Sequence, residues 1–241
     1  MPEWASLRSS DFVKRSIKGA SKLPHALIVQ AQPVLVSHLI SLVECALAPN
    51  AKYDDVLAAA IAILAFGGVM RLGDCLMLPD KLKDRDIRKI ISRNSVELIA
   101  TRSFSFHLPY TKTDKSFRGC RVTIGAEFSP PEFNFIDVLQ LYCRRRDLLF
   151  GPDGPLLLRE SGKAPMRSWF IPKLKRFAPG VTGHGLRAGG ATFLAQLGVP
   201  DALIKRMGRW KSDAWEEYIR DHPAFQAIIA INIAAALKRL R

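Results

Sequence analysis

The chain has 241 residues, enough to bury a sizeable core, and 48% of them are hydrophobic, as in ordinary folded proteins. Its 36 Lys and Arg residues outnumber 22 Asp and Glu residues, which leaves a net charge of +14. A charge excess of this size favours a polyanionic partner, nucleic acid above all, over a protein that is merely basic. The longest apolar runs, 56–70 and 224–236, are shorter than the ~20 residues that cross a bilayer, so no membrane segment is expected.

The four cysteines are scattered, with no C-x-x-C pair and no histidine at zinc-finger spacing. This spacing predicts neither a disulfide framework nor a metal site, and it favours a reducing, intracellular setting. The chain also lacks a Walker loop and a carboxylate cluster for Mg²⁺. No metal and no cofactor are therefore expected.

Residues 1–23 are polar and basic and are predicted to be a linker or the remnant of something upstream, ahead of one domain over 24–241. Apolar residues at helical spacing predict a helix over 34–48. A second helix opens at 54–55 and should end at the Gly67-Gly68 pair. A short helix is predicted over 72–78, stopped by Pro79.

Beyond a charged segment the apolar period changes from helical to alternating. Residues 104–110 and 120–124 then read as a hairpin with 111–119 at its tip. Further helices are predicted in the rest of the chain: 135–149, 168–177, 186–197 capped by Gly198, 200–207 capped by Gly208, one that begins at 212 or 213, and 224–240. The predicted fold class is mainly α (α+β), with a small antiparallel sheet.

His184 and Arg187 stand three residues apart at a predicted helix start, so both side chains can face one ligand. The free N–H groups of a helix N-terminus favour a phosphate there. By itself an H-x-x-R spacing is weak, because a capping or core histidine explains it as well. Arg71, with Asp74 three residues on, offers a second guanidinium beside a carboxylate.

Trp210, Tyr218 and Lys112 complete the set of candidate residues. Each has a plain alternative reading: core packing for the tryptophan, a helix-face aromatic for the tyrosine and a solvated turn for the lysine. A surface salt bridge would likewise explain Arg71 and Asp74. The joint order and spacing of these residues carries more weight than any one of them.

Four segments hold that order: A-F-G-G-V-M-R-L-G-D-C-L-M-L, Y-T-K-T-D-K, G-H-G-L-R-A-G-G-A-T-F-L-A-Q-L-G-V and M-G-R-W-K-S-D-A-W-E-E-Y-I-R. Together they resemble the catalytic boxes of the tyrosine recombinases, the phage-integrase-like enzymes that break and rejoin DNA. The third and fourth segments look most like those of eukaryotic crypton and DIRS mobile elements. The resemblance covers about 24–241, and it implies a helical catalytic domain there. It also implies that residues 1–23 are a basic linker or the remnant of an upstream DNA-binding domain.

The resemblance makes Tyr218 the nucleophile that forms a 3′-phosphotyrosine. Because a phenol with a pKa near ~10 is a poor nucleophile at neutral pH, it needs nearby cations and a proton acceptor. Arg71, Arg187 and His184 would supply these, and Asp74 would orient Arg71. Lys112, or Lys115 in the same turn, would protonate the leaving 5′-oxygen.

Trp210 stands where many relatives have histidine, and its indole N–H can bind a phosphate oxygen without moving a proton. Two departures from the bacterial pattern accompany it. Ala188 follows Arg187 in place of a second histidine, and the spacing from Trp210 to Tyr218 is eight rather than nine.

The implied activity is site-specific recombination or integration, without metal or ATP, for a mobile element. The implied partners are double-stranded DNA and further copies of the chain, a dimer or tetramer on DNA, with 224–240 as a helix exchanged between protomers. A eukaryotic source would place the protein in the nucleus. A topoisomerase of the type IB kind and an inactive DNA-binding derivative remain as alternatives.

Basic side chains outside the boxes are the expected DNA contacts, with solvated helix faces as the alternative explanation. They are Lys115, Arg144, Arg145, Arg146, Lys173, Lys175, Arg176 and Arg209.

Overall fold

The computed structural model describes residues 32–74, 76–99, 102–111, 114 and 116–212, together with 10, 11, 13, 15, 16 and 216. The chain divides into two units, Met1–Gln30 and Ala31–Arg241. In the first, the described residues 11, 13, 15 and 16 are helical. The second contains all the elements that follow.

The second unit combines helices with one small sheet. Its helices are α1 (Val36–Leu47), α2 (Tyr53–Gly67), α3 (Phe135–Phe150), α4 (Arg167–Lys175), α5 (Gly183–Gln196) and α6 (Asp201–Gly208), and its strands are β1 (Glu97–Ile99), β2 (Ser103–Leu108) and β3 (Cys120–Gly125). Short 3₁₀ turns lie at Leu82–Asp84, Ile87–Lys89, Arg93–Ser95 and Ala126–Phe128. The mainly α fold with a small antiparallel sheet is confirmed.

Helix α2 is the centre of the domain. It is buried on every side from Val56 to Gly67, and it packs against α1, α3, α4 and α5. A helix that is apolar all round must be enclosed by other elements, and the small alanines of α2 let four helices approach it. This explains why the alanine-rich stretch has no polar face.

The sheet has the order β1-β2-β3 and is antiparallel throughout. Phe104 pairs with Ile124 and Phe106 with Val122, and all four side chains are buried against the helices. The strand pair β2–β3 is the predicted hairpin, whereas β1 was not predicted. Because β1 is three residues long and exposed, it has no apolar alternation to reveal it.

Two adjacent glycines let α5 lie directly against α2 and against the segment that leads into α1. A Cβ at Gly189 would overlap the carbonyl oxygen of Val34, and one at Gly190 would overlap that of Phe66. This close approach sets the depth at which α5 is docked, and with it the positions of the side chains near its start.

Two sequence predictions of local structure are wrong. Residues 72–78 do not form a helix where they are described, because Leu78 leaves the turn to pair with Met166 and its N–H donates to Pro165 O at 3.0 Å. The left-handed residue that ends α6 is Arg209, with φ of 57°, not Gly208. Gly208 lacks a side chain for another reason: a Cβ there would overlap the ring of Trp210.

None of the helices in the described ranges combines the length and apolarity needed to cross a membrane.

Candidate functional site

The turn after α2 presents Arg71 at the surface. Helix α2 closes through Gly68 N to Leu64 O at 3.0 Å and Met70 N to Ala65 O at 2.7 Å. Val69, between them, has φ of 47°, which is rare for a β-branched residue and marks local strain. The chain then reverses at Asp74, whose N–H donates to Arg71 O at 2.8 Å.

Arg71 and Asp74 form an ion pair in this turn, with 3.5 Å between Nη1 and Oδ2. The Asp74 side chain is almost fully buried, while that of Arg71 is 29% exposed. The carboxylate therefore lies behind the guanidinium and leaves one side of it open to solvent. The role of Asp74 in orienting Arg71 for a ligand stays a prediction.

His184 faces the same opening from α5. It is exposed as the second residue of that helix. A cleft of about 370 Å³ lies between the two segments and is lined by Arg71, Leu72, Gly73, Asp74, Lys89, Tyr110, Arg167, Gly183 and His184. Three predicted site residues thus meet in one cleft, two from the turn after α2 and one from α5, more than a hundred positions later in the sequence.

Arg187, one turn further along α5, points into the protein and is fully buried. Its Nη1 donates to Val69 O at 3.1 Å and its Nη2 to Gly208 O at 2.7 Å. The ring of Trp210 covers it, with 3.9 Å from the guanidinium carbon to the ring centroid. Arg187 and Trp210 are therefore in contact, but Arg187 is not among the residues that line the cleft.

Arg209 binds the same turn from the end of α6. Its Nη2 donates to Gly68 O at 3.0 Å and to Val69 O at 3.1 Å. Val69 O thus accepts from both Arg187 and Arg209, so the strained turn ahead of Arg71 is held by two guanidinium groups. In this conformation Arg209, predicted as a DNA contact, is directed at the backbone.

Lys112, Lys115 and Tyr218 lie outside the described residues. The hairpin tip around the two lysines is described at Asp114, whose carboxylate accepts from Gly119 N at 2.8 Å and from Ser116 N at 3.0 Å. These hydrogen bonds, that from Gly119 foremost, lower the pKa of Asp114. Glu216, two residues before Tyr218, is helical.

The structure of this chain is similar to several solved structures of recombinases and integrases. XerA recombinase superposes with a TM-score of 0.56 at 18% identity, over 91% of this chain and 72% of that one. XerH site-specific recombinase, bound to its palindromic difH substrate in a post-cleavage complex, also gives 0.56, at 17% identity over 83% of this chain and 52% of that one. A lambda integrase dimer bound to a COC′ core site gives 0.52 at 14% identity, over 88% and 70%.

The chain has the tyrosine recombinase fold. It spans about half the length of the XerH chain. No model of a protein family matches this sequence, and no curated protein sequence matches it.

The recombinase fold places the three basic candidates of α3 in different surroundings. Arg144 is exposed, and Arg145 donates from Nη1 to Ala51 O at 3.0 Å. Arg146 is fully buried: it pairs with Asp147 at 2.9 Å and donates to carbonyls of the loop 151–155. A side chain enclosed in this way cannot reach a phosphate, so the prediction that Arg146 contacts DNA is corrected to a structural role.

The basic candidates of α4 also differ. Lys173 pairs with Asp55 at 2.9 Å and lies near the ring of Trp169, so its charge is partly neutralised. Lys175 and Arg176 are exposed. Within α3 and α4, Arg144, Lys175 and Arg176 are the predicted contacts whose side chains face solvent.

Three residues of the cleft with polar side chains were not predicted as site residues: Lys89, Tyr110 and Arg167. Lys89 ends a 3₁₀ turn, Tyr110 follows β2 and Arg167 begins α4. Tyr110 is the first residue of the segment Y-T-K-T-D-K, whereas Lys89 and Arg167 belong to none of the four segments. Only the packing of these segments brings them to one opening.

Two phenols of the fold are unsuited to nucleophilic attack. Tyr142 is almost fully buried and donates to Leu156 O at 3.0 Å, while Tyr53 donates to Leu158 O at 3.0 Å. Burial raises the pKa of both, that of Tyr53 to about 12. Over the residues that the structure describes, no three His, Cys, Asp or Glu side chains are grouped to hold a metal ion.

Proposed function

We propose that this protein is a site-specific DNA recombinase or integrase that cuts and rejoins DNA through a covalent tyrosine intermediate. The observation that carries the proposal is the meeting of Arg71, Asp74 and His184 in one cleft of a recombinase fold. Elements distant in the sequence converge there on an opening that has the basic side chains of Arg71, Lys89, Arg167 and His184 against one carboxylate. A DNA phosphate is the ligand that such a lining favours.

In the proposed reaction the phenolic oxygen of Tyr218 attacks the scissile phosphorus. The bond from phosphorus to the 5′-oxygen breaks as the 3′-phosphotyrosyl bond forms. His184 accepts the phenolic proton, and Lys112 or Lys115 gives a proton to the departing 5′-oxygen. Because the ester conserves the energy of the broken bond, rejoining by the reverse attack uses neither metal nor ATP.

Arg71 binds a non-bridging oxygen as negative charge grows in the transition state, and buried Asp74 holds it in place. Arg187 has the same task in the proposal, and a phosphate would reach it only after Trp210 moves off its guanidinium.

The finer parts of the proposal concern the biological setting. The boxes favour a mobile element of the crypton or DIRS kind, integration or excision as the task, and the nucleus as the compartment. Two or four protomers would act on paired sites, with the segment 224–240, which lies outside the described residues, linking neighbours.

The test uses a pool of nicked duplexes with a randomised central region as suicide substrates. The wild-type protein should become covalently attached to DNA, and Tyr218→Phe should not. Trypsin should release the DNA-linked tyrosine within the peptide 212–220. Attachment on the peptide 103–112, which contains Tyr110, would contradict the proposal.

Two plasmid assays separate the alternatives. Relaxation of a supercoiled plasmid without exchange between two selected sites would favour the topoisomerase. DNA binding without any covalent attachment would favour the inactive derivative.

A further inference from the structure

Lys89 occupies the cleft without belonging to any of the four boxes. It is the last residue of the 3₁₀ turn Ile87–Lys89 and lines the cleft together with Arg71 and His184. Its ammonium nitrogen lies 4.3 Å from the centroid of the Tyr110 ring. A flexible side chain is thus held at one place in the opening by an aromatic face.

The neighbouring residue shows how this position is built. Arg88 lies over Phe117 at 4.5 Å, and the rings of Phe117 and Tyr110 are 5.1 Å apart. The consecutive cations Arg88 and Lys89 therefore contact two neighbouring rings, that of Phe117 within the hairpin tip and that of Tyr110 just before it. The arrangement ties the 3₁₀ turn to the segment that contains Lys112.

The two cations differ in what else they bind. Arg88 is paired with Asp86 through two hydrogen bonds of 3.0 and 2.9 Å, so its charge is neutralised locally. Within the described ranges, no carboxylate lies within ion-pair distance of Lys89. An aromatic face attracts an ammonium group without occupying its N–H donors, so Lys89 keeps them for an anion.

The charges of the cleft favour that use. Arg71, Lys89, Arg167 and His184 contribute basic groups, whereas Asp74 is the carboxylate of the lining and is already paired with Arg71. Because Arg187 is turned inward, its guanidinium adds no donor to the lining of the cleft. Lys89 supplies a positive charge within that lining. A compact ammonium group is well suited to binding a phosphate oxygen as a point charge.

We propose that Lys89 is an additional catalytic residue, which binds a non-bridging oxygen of the DNA phosphate in the cleft, with Tyr110 as its positioning residue. The inference rests on the proposed function, since it assigns a role within the same site. It differs from the role of Lys112 or Lys115, because Lys89 stabilises charge on the phosphate and does not protonate the leaving group.

The test measures covalent attachment by Lys89→Gln on two suicide duplexes, one ordinary and one with sulfur in place of the bridging 5′-oxygen. A thiolate leaves without needing a proton, so the sulfur duplex rescues the loss of a proton donor but not the loss of a phosphate contact. We expect attachment to fall by about 10–100-fold on both duplexes. Lys89→Arg, which keeps the charge, should recover most of the loss.

The matched control is Lys83→Gln, which removes one positive charge from an exposed side chain in the preceding 3₁₀ turn. It should remain within about twofold of wild type. Tyr110→Leu removes the ring that holds Lys89 and should give a smaller loss than Lys89→Gln. Equal rates for Lys89→Gln and Lys83→Gln, or full rescue by sulfur, would overturn the inference.

A second readout does not depend on cleavage. The slope of log affinity for a duplex against log salt concentration should fall by about 0.9 in Lys89→Gln, because one phosphate contact is lost. An unchanged slope would overturn the phosphate contact. Failure of the wild-type protein to attach to any DNA would instead overturn the proposed function, so the two failures are distinguishable.

Discussion

Arg146 and Arg187 are both fully buried, yet they stabilise different kinds of structure. Arg146 binds Asp147 and carbonyls of the loop 151–155, all within nine residues along the chain. Arg187 binds Val69 O and Gly208 O, which are 118 and 21 residues away. The guanidinium of Arg146 holds one loop in place. That of Arg187 connects α5 with the turn after α2 and with the end of α6.

The comparison shows that burial of an arginine does not reveal its task. What distinguishes the pair is the cover over each group. Arg146 is enclosed by its own loop, whereas Arg187 lies beneath Trp210, a side chain that is itself partly exposed. The proposed role of Arg187 as a phosphate ligand therefore requires the Trp210 ring to move off its guanidinium.

The largest expected effect concerns covalent attachment. Arg187→Ala should reduce attachment to the suicide duplex by about 10²–10³-fold per folded molecule, because a donor to the transition-state phosphate is lost. Arg146→Ala should attach at nearly the wild-type rate once the unfolded fraction is subtracted. Equal losses in the two variants would contradict the distinction drawn between them.

Stability should rank the two arginines in the opposite order. Arg146→Ala leaves carbonyls of the loop 151–155 without their donor, and each unsatisfied buried group costs roughly 1–3 kcal/mol. We expect a loss of about 3 kcal/mol or more in urea unfolding, exceeding that of Arg187→Ala by about 1 kcal/mol. A larger loss for Arg187→Ala would make it the main structural residue of the pair.

Removal of the Trp210 ring should expose the guanidinium of Arg187 and leave that of Arg146 enclosed. Trp210→Ala loses a cation–π contact, which is worth about 1–2 kcal/mol. It should also make Arg187 reactive toward phenylglyoxal, as detected by peptide mass spectrometry, while Arg146 stays protected. Trp210→Phe, which keeps a ring, is the control, and protection of Arg187 in both variants would show that Trp210 is not its cover.

The smallest expected effect is a loss of folding stability at alkaline pH, caused by two groups close to Arg146. Burial raises the pKa of Cys143 from 9.0 to about 11 and that of Tyr53 from 10.0 to about 12. Both groups keep their protons to a higher pH in the folded state than in the unfolded state. Their contribution to the free energy of unfolding is therefore complete below pH 9.0, and it is lost as pH rises through about 11 for Cys143 and about 12 for Tyr53.

Urea unfolding at stepped pH checks this sign. Cys143→Ala should flatten the decline that begins near pH 9.0. A decline that is unchanged in Cys143→Ala would assign the alkaline transition to other groups.

Local pattern was sufficient for most of the fold. The apolar spacing of α1 and α2, the Gly67-Gly68 break and the alternation of β2 and β3 each follow from which face of an element must be buried. The same reasoning failed at 72–78, where a pairing with a distant segment replaced the helix. It also failed at Gly208, whose missing side chain makes room for Trp210 rather than for a left-handed turn.

The site was partly predictable for a related reason. Arg71, Asp74 and His184 stand in boxes whose order can be read along the chain, and the structure brings these three to one cleft. Lys89 and Arg167 reach the same cleft from segments without a motif. Arg146 was predicted to contact DNA together with its exposed neighbour Arg144, because a run of arginines in a sequence does not show which member turns inward.

The amino-acid sequence alone determined the fold class, the basic character of the chain and the two short segments that frame the cleft, because these depend on composition and on periodicity within a few turns. Tertiary structure alone decided which cations face solvent, which are enclosed, and that Trp210 covers Arg187. The physical reason is that a guanidinium binds whichever carbonyls and rings folding brings within about 3–4 Å. The partners of Arg187 are distant in the sequence, and the run 144–146 does not itself show which arginine turns inward.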